Sequence, residues 1–88
     1  MDYKDKLKKI YNHFGYNTQV AKLKEELNEL LYAINNNDTE NMIEEIADVY
    51  VVIMQMISFF GEGSMSKIIE YKIDRTINRI GSGFYERK

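Results

Sequence analysis

The chain contains no cysteine and no proline, and it has a single histidine, His13. Without cysteine it cannot form a disulfide framework, and a reducing compartment is permitted. One histidine and no thiol also argue against a dedicated zinc or soft-metal site. With proline absent, the five glycines mark the ends of periodic segments, as expected at helix boundaries.

Long apolar runs are also missing. Residues 1–9 are charged and lead into no apolar stretch, so they do not resemble a signal peptide. The most apolar run, residues 46–60, is interrupted by Asp48, Gln55 and Ser58, and it is shorter than the roughly 20 residues that a bilayer span needs. We therefore expect a cytoplasmic protein that makes no contact with a membrane.

Length and charge limit the remaining classes. With 88 residues the chain is expected to form one domain over residues 1–88, with residues 81–88 as a candidate flexible tail. A domain this short buries a modest core and often gains stability from a metal ion or from self-association. The formal net charge of −2 gives no reason to expect nucleic-acid binding.

Apolar residues recur at helical spacing in four segments of the chain. Residues 7–14 form the first apolar stripe, which ends at Gly15, and residues 20–34 form the second. Residues 40–60 are apolar nearly all round in their second half, which predicts burial. Residues 69–80 carry an isoleucine stripe. Because no segment alternates with period two, the sequence predicts an all-α protein, a compact bundle of about four helices.

Candidate capping residues precede three of these segments. They are Thr18 for the second segment, Asp38 or Thr39 for the third, and Ser64 or Ser66 for the fourth. Such side chains accept hydrogen bonds from the free N–H groups at a helix start.

Two pairs of acidic residues each share one side of a predicted helix. Glu26 and Glu29 are three residues apart in the second segment, and Glu45 and Asp48 are three apart in the third. We expect Asp48 to face an interior surface, where an unpartnered carboxylate is costly. Four carboxylates brought together from adjacent helices would repel one another. A hard divalent cation would resolve both problems, and oxygen donors favour Mg²⁺.

The same acids also have a simpler interpretation. Glutamates three residues apart on an exposed helix are usually solvated, and acids near a helix start complement the helix dipole. The second effect alone could explain Glu40, Glu44 and Glu45. Asp48 could likewise be a paired structural charge, so the sequence leaves both interpretations open.

The fourth segment places three cations on one side, Lys72, Arg75 and Arg79. Arginine forms forked hydrogen bonds to phosphate and lysine supplies a point charge, so acids facing these cations would suit a polyphosphate substrate. The cations could equally pair with surface acids or complement the end of their helix. Phe14 could stack on a nucleobase, or it could be the last core residue of its helix.

The order of the acids resembles a family signature. Glu25-Glu26-Leu27-Asn28-Glu29 followed by Glu45-Ile46-Ala47-Asp48 resembles the E-E-x-x-E … E-x-x-D pattern of the MazG-like all-α nucleoside triphosphate pyrophosphohydrolases. Residues 19–24 and the cations Lys72 and Arg75 also look like family positions, and the resemblance covers most of the chain, residues 14–80.

The resemblance implies an enzyme that hydrolyses a (d)NTP to the monophosphate and pyrophosphate with Mg²⁺, for which Mn²⁺ could substitute. It implies metal ligands at Glu26, Glu29, Glu45 and Asp48, and catalytic roles for Glu25 and Glu26, with Glu25 orienting the water. Phosphate-binding residues would be Lys72 and Arg75, with Arg79 added from its helical spacing. Weaker substrate-binding candidates are Gln19, Lys22 and Phe14. The resemblance also implies a homodimer or homotetramer with sites completed at the subunit interface.

Three functions are compatible with these features. The first is a pyrophosphohydrolase that cleans or controls the nucleotide pool. The second is a non-catalytic helical module that binds a nucleotide or a partner and retains the metal site. The third is a structural helical protein whose acids are surface charges and caps. All four predicted ligands are present, which favours the enzyme over a decayed relative.

Overall fold

The computed structural model describes residues 3–86, apart from the side chain of Tyr85, and this range is helical with short turns and no strand. Helix α1 spans Lys4–Asn35, α2 spans Thr39–Phe60 and α3 spans Glu62–Gly81, followed by a short 3-10 helix at Phe84–Glu86. The all-α prediction is therefore confirmed. The number of α-helices in this range is three, where the sequence predicted about four.

The difference in number arises because α1 contains the first two predicted helices. They are separated only by Gly15, whose φ of 82° and ψ of 169° are not helical. Glycine adopts this conformation readily because it has no Cβ. The chain kinks at Gly15 and resumes its helix at once, so Thr18 lies inside α1 and does not cap a separate helix.

Helices α1 and α2 form a hairpin. The turn between them contains Asn37, which has a positive φ of 54°. Asp38 caps α2, as predicted, because its Oδ1 accepts a hydrogen bond of 3.3 Å from the backbone N–H of Asn41. Near the opposite end of the hairpin, the rings of Tyr11 and Phe59 stack with their centroids 5.1 Å apart.

The core lies between α1 and α2 and is partly polar. Its buried residues are Gln19, Glu26 and Ala33 from α1 and Val49, Val52 and Gln55 from α2. The α1 residues are seven apart, two helical turns, so they form one line along the helix. The leucine side of α1 points elsewhere, and Leu31 is 56% exposed. The hairpin therefore buries a stripe that contains a glutamine and a glutamate.

Helix α3 follows α2 after Gly61, which has a positive φ of 103° and stands at the N-cap position of α3. The predicted caps Ser64 and Ser66 are wrong, because α3 has already begun at Glu62. No described residue of α3 is buried, and Ile77 on its isoleucine stripe is 60% exposed.

Helix α2 is also less buried than its composition predicted. It buries Val49, Val52 and Gln55, whereas Tyr50 and Phe59 are exposed. A single hairpin can cover only one side of α2, so its other apolar sides stay open. None of the described helices is long and apolar enough to cross a membrane.

Residues 81–88, the candidate flexible tail, begin with the last residue of α3 and continue into a turn. Ser82 and Gly83 donate backbone hydrogen bonds to Asn78 and Ile80, and the guanidinium carbon of Arg79 lies 4.6 Å from the centre of the Phe84 ring. The last two residues of this predicted tail lie outside the described part of the chain.

Candidate metal and nucleotide site

Three carboxylates from two helices meet at one point of the hairpin. Glu26 and Glu29 come from successive turns of α1, and Glu45 comes from α2. One oxygen from each side chain lies within 4.8 Å of the others. The antiparallel hairpin produces this meeting, because it sets an early turn of α2 beside the second half of α1. We call these three residues the acid cluster.

The acid cluster contains carboxylate oxygens that are shielded from water and have no hydrogen-bond partner. Glu26 is only 4% exposed, Glu45 is half-buried and Glu29 is exposed. The Oε2 atoms of Glu26 and Glu45 are both buried and have no hydrogen-bond partner. Unpartnered buried carboxylate oxygens are costly. A cation bound between them would remove that cost.

Lys22 is the counter-ion of the acid cluster. Its Nζ lies 2.8 Å from Oε1 of Glu26 and 3.9 Å from Oε1 of Glu25. The hydrogen bond from Lys22 lowers the pKa of Glu26, and the bond to Glu26 in turn raises the pKa of Lys22. Glu26 therefore stays ionised although it is buried.

Among the three acids of the cluster, Glu45 is the one whose pKa is raised. Desolvation, followed by the adjacent carboxylates of Glu26 and Glu29, raises the pKa of Glu45 from its ordinary value of 4.5 to about 7. A carboxylic acid with this pKa is half protonated near neutral pH. Because carboxylates bind metal in the ionised form, a cation and this proton compete for the cluster.

Asp48 lies next to the acid cluster but outside it. It is exposed, which corrects the expectation that it faces an interior surface. The deeply buried carboxylate of the site is that of Glu26 instead. Asp48 lines the same groove as Glu25 and Glu26, one helical turn beyond Glu45 on α2.

That groove runs between α1 and α2 and has a volume of about 610 Å³. One end is charged, with Lys22, Glu25, Glu26 and Asp48. The rest of the groove is mostly apolar, with two glutamines in its lining. These other lining residues are Ile10, Phe14, Thr18, Gln19, Ala21, Val51, Val52 and Gln55. A mostly apolar groove with a few polar groups is the usual form of a small-molecule site.

The two glutamines of the groove are paired. Gln19, which is 4% exposed, donates a hydrogen bond of 2.7 Å through its Nε2 to Oε1 of Gln55, which is 2% exposed. Sequence reasoning gave Gln19 as a weak candidate and missed Gln55. The only signal for Gln55 was its place as an uncharged polar residue in the most apolar run of the chain.

In one copy of the chain, Lys72, Arg75 and Arg79 of α3 do not line the groove that contains Glu25 and Glu26. Arg75 and Arg79 line a separate groove of about 410 Å³ with Tyr71, Asp74, Asn78 and Ser82, whereas Lys72 is exposed. The guanidinium carbon of Arg75 lies 5.8 Å from the centre of the Tyr71 ring, and its buried Nε has no hydrogen-bond partner. No described residue of α3 lines the groove of the acids.

Comparison with known protein families identifies the family of this chain. The family model for the MazG nucleotide pyrophosphohydrolase domain matches residues 14–82. The chain belongs to this family. No curated protein and no solved structure gave a match. The match to the MazG domain contains the acid cluster, Asp48 and both glutamines, and it also contains Lys72, Arg75 and Arg79 of α3.

The donor set of this MazG domain suits a hard divalent cation. Glu26, Glu29 and Glu45 offer carboxylate oxygens only, and two of those oxygens are buried without a partner. Mg²⁺ prefers oxygen ligands and keeps several waters, so three carboxylates at the edge of a groove leave positions for water or phosphate. The residues present therefore fit the metal that the sequence predicted.

Proposed function

We propose that this MazG domain is a Mg²⁺-dependent nucleoside triphosphate pyrophosphohydrolase that converts a (d)NTP to the (d)NMP and pyrophosphate. One observation carries the proposal: the acid cluster, with its two unpartnered buried oxygens, lies beside the charged end of a groove whose other end is apolar. A nucleotide has the complementary form, with charged phosphates at one end and a flat base at the other.

In this proposal Glu26, Glu29 and Glu45 hold the metal, and Asp48 joins them from the rim of the groove. Bound Mg²⁺, for which Mn²⁺ could substitute, would neutralise the triphosphate and acidify a water molecule. Water would attack the α-phosphorus, and the bond from this phosphorus to the oxygen bridging to the β-phosphorus would break, so that pyrophosphate leaves with that oxygen. Glu25 is the candidate to orient the water and accept its proton, because it lines the groove and is exposed.

The proposal includes a homodimer or homotetramer. The leucine side of α1, much of α2 and the isoleucine stripe of α3 are all exposed in one copy. Exposed apolar surface on this scale usually marks an interface. In such an assembly Lys72, Arg75 and Arg79 of one copy would reach the acids of another and hold the outer phosphates.

Pyrophosphate release from a panel of canonical and modified (d)NTPs tests the proposal. Release should require Mg²⁺ and stop with EDTA. The variants Glu45→Gln and Asp48→Asn should abolish release, whereas Glu44→Gln, which changes an exposed neighbouring acid on α2, should retain it. Absence of release from any nucleotide, with the protein folded and Mg²⁺ bound, would favour a binding module that retains the metal site without turnover.

A further inference from the structure

The buried glutamine pair has no role in the metal chemistry. Gln19 and Gln55 lie at the interface of α1 and α2, where two apolar side chains would pack without needing a partner. Both line the groove, and its apolar residues Phe14, Ile10 and Val51 lie around the same part of it. A polar pair in this position suggests a ligand that carries polar groups on an otherwise apolar ring.

The pair has hydrogen-bonding capacity left over. A glutamine amide offers one carbonyl oxygen and two N–H donors. The single bond between them uses Nε2 of Gln19 and Oε1 of Gln55, which leaves Oε1 of Gln19 as an acceptor and Nε2 of Gln55 as a donor. Neither atom is among the buried side-chain atoms without a partner in the described chain. The bond between the two amides thus leaves over one acceptor on Gln19 and one donor on Gln55.

The distance from the acids also fits a nucleotide. Gln19 precedes Glu26 by seven residues on α1, and Gln55 follows Asp48 by seven on α2. At a rise of roughly 1.5 Å per residue, each glutamine lies about 10.5 Å along its helix from the acid. A sugar and base extending from a phosphate at the acids would reach the glutamines.

We infer that the Gln19–Gln55 pair contacts the polar edge of the nucleobase and allows the site to accept different bases. The inference rests on the proposed function and deepens it. If both amides rotate by half a turn, the bond between them survives with its direction reversed, and the free acceptor and donor exchange places. One arrangement matches bases with a keto edge, and the other matches bases with an amino edge. The site then accepts both kinds, with kcat/KM values within about tenfold of one another.

Binding of the four nucleoside α,β-imido triphosphates with Mg²⁺ tests this inference without requiring turnover. A fifth ligand carries an apolar ring in place of the base. The test variant is Gln19→Met with Gln55→Met, because replacing both partners leaves no amide unpaired and keeps the volume. The control is Asn12→Ala, which changes a groove on the other side of Gln55.

The double variant should bind all four natural bases roughly tenfold more weakly, since it loses two neutral hydrogen bonds, and should bind the apolar-ring ligand unchanged or more tightly. Asn12→Ala should match the native chain. Equal affinities of the native chain and the folded double variant for the natural bases would overturn the inference. An equal loss for the apolar-ring ligand would do the same. If the native chain releases no pyrophosphate yet shows the expected binding pattern, the proposed function fails while the base contact stands.

Discussion

Lys22 and Glu26 form an ion pair of 2.8 Å at the border of the acid cluster. The Glu26 side chain is buried, whereas that of Lys22 is about half exposed. The lysine therefore balances the charge of the most buried carboxylate of the cluster. This arrangement keeps Glu26 ionised while leaving its other oxygen without a hydrogen-bond partner.

The substitution Lys22→Met should lower the thermal midpoint of the metal-free protein, because Glu26 would lose its counter-ion while remaining buried. Mg²⁺ should raise the midpoint of this variant more than that of the native chain, since the metal replaces the missing positive charge. Differential scanning calorimetry with EDTA and with Mg²⁺ measures both effects. Lys24→Met, which removes an exposed lysine two residues further along α1, is the matched control. Equal Mg²⁺ shifts in all three proteins would contradict the assigned role.

The pH dependence of stability follows from Glu45. Because its folded pKa of about 7 exceeds the ordinary 4.5, its contribution to stability is fully present below pH 4.5 and is lost as the pH rises through 7. Glu26, whose pKa is lowered, acts in the opposite sense and only below pH 4.5. The metal-free protein should therefore melt at a higher temperature at pH 5 than at pH 8.

Mg²⁺ should counteract this loss, since the metal binds the ionised cluster and its effect on the melting temperature should grow from pH 5 to pH 8. The variant Glu45→Gln should lose most of the dependence between these two values, because the titrating group is gone. A native melting temperature that is flat between pH 5 and pH 8 in EDTA would contradict the assignment of the proton to Glu45.

Two glycines provide a matched test of the kink in α1. Gly15 has a positive φ with an extended ψ, a combination that is essentially restricted to glycine, so Gly15→Ala should cost about 1–3 kcal/mol of unfolding free energy. Gly81 has no positive φ, and a Cβ there meets nothing within 4 Å. Gly81→Ala should be neutral or stabilising by about 0.4–1 kcal/mol. Urea denaturation measures both, and equal effects would show that α1 does not kink at Gly15.

The exposed isoleucine stripe of α3 predicts the response of the proposed oligomer. The native chain should elute as a dimer or tetramer in size-exclusion chromatography with light scattering. Ile77→Lys should dissociate it, because a lysine cannot be buried at an apolar interface without cost. Lys67→Ala on the exposed first half of α3 is the control. A monomeric native chain at micromolar concentration would refute the interface.

Sequence periodicity predicted helices well and their orientation poorly. The helical class and the Asp38 cap follow from local spacing and local hydrogen bonding, which need no tertiary information. The side of α1 that meets α2 does not follow from spacing, because a leucine stripe and a stripe through Gln19 and Glu26 run next to each other. The hairpin buries the second stripe and leaves Leu31 exposed.

The site was predictable to the extent that it depends on spacing within one helix. The pairs Glu26/Glu29 and Glu45/Asp48 share helix sides by their separation of three, but the depth of each acid depends on how α1 and α2 pack. Packing buries Glu26 and exposes Asp48, the reverse of the expectation for Asp48. Gln55 was not predicted, because the importance of a lone glutamine in an apolar run depends on its hydrogen bond to Gln19, 36 residues away.

Product analysis by ³¹P NMR during incubation of a (d)NTP with the native protein and Mg²⁺ tests the central claim most directly. We predict equal amounts of nucleoside monophosphate and pyrophosphate, with no nucleoside diphosphate. Both products should be lost completely with EDTA or in Glu45→Gln. Formation of nucleoside diphosphate and orthophosphate, or product formation that survives EDTA, would contradict the assignment of this chemistry to the acid cluster.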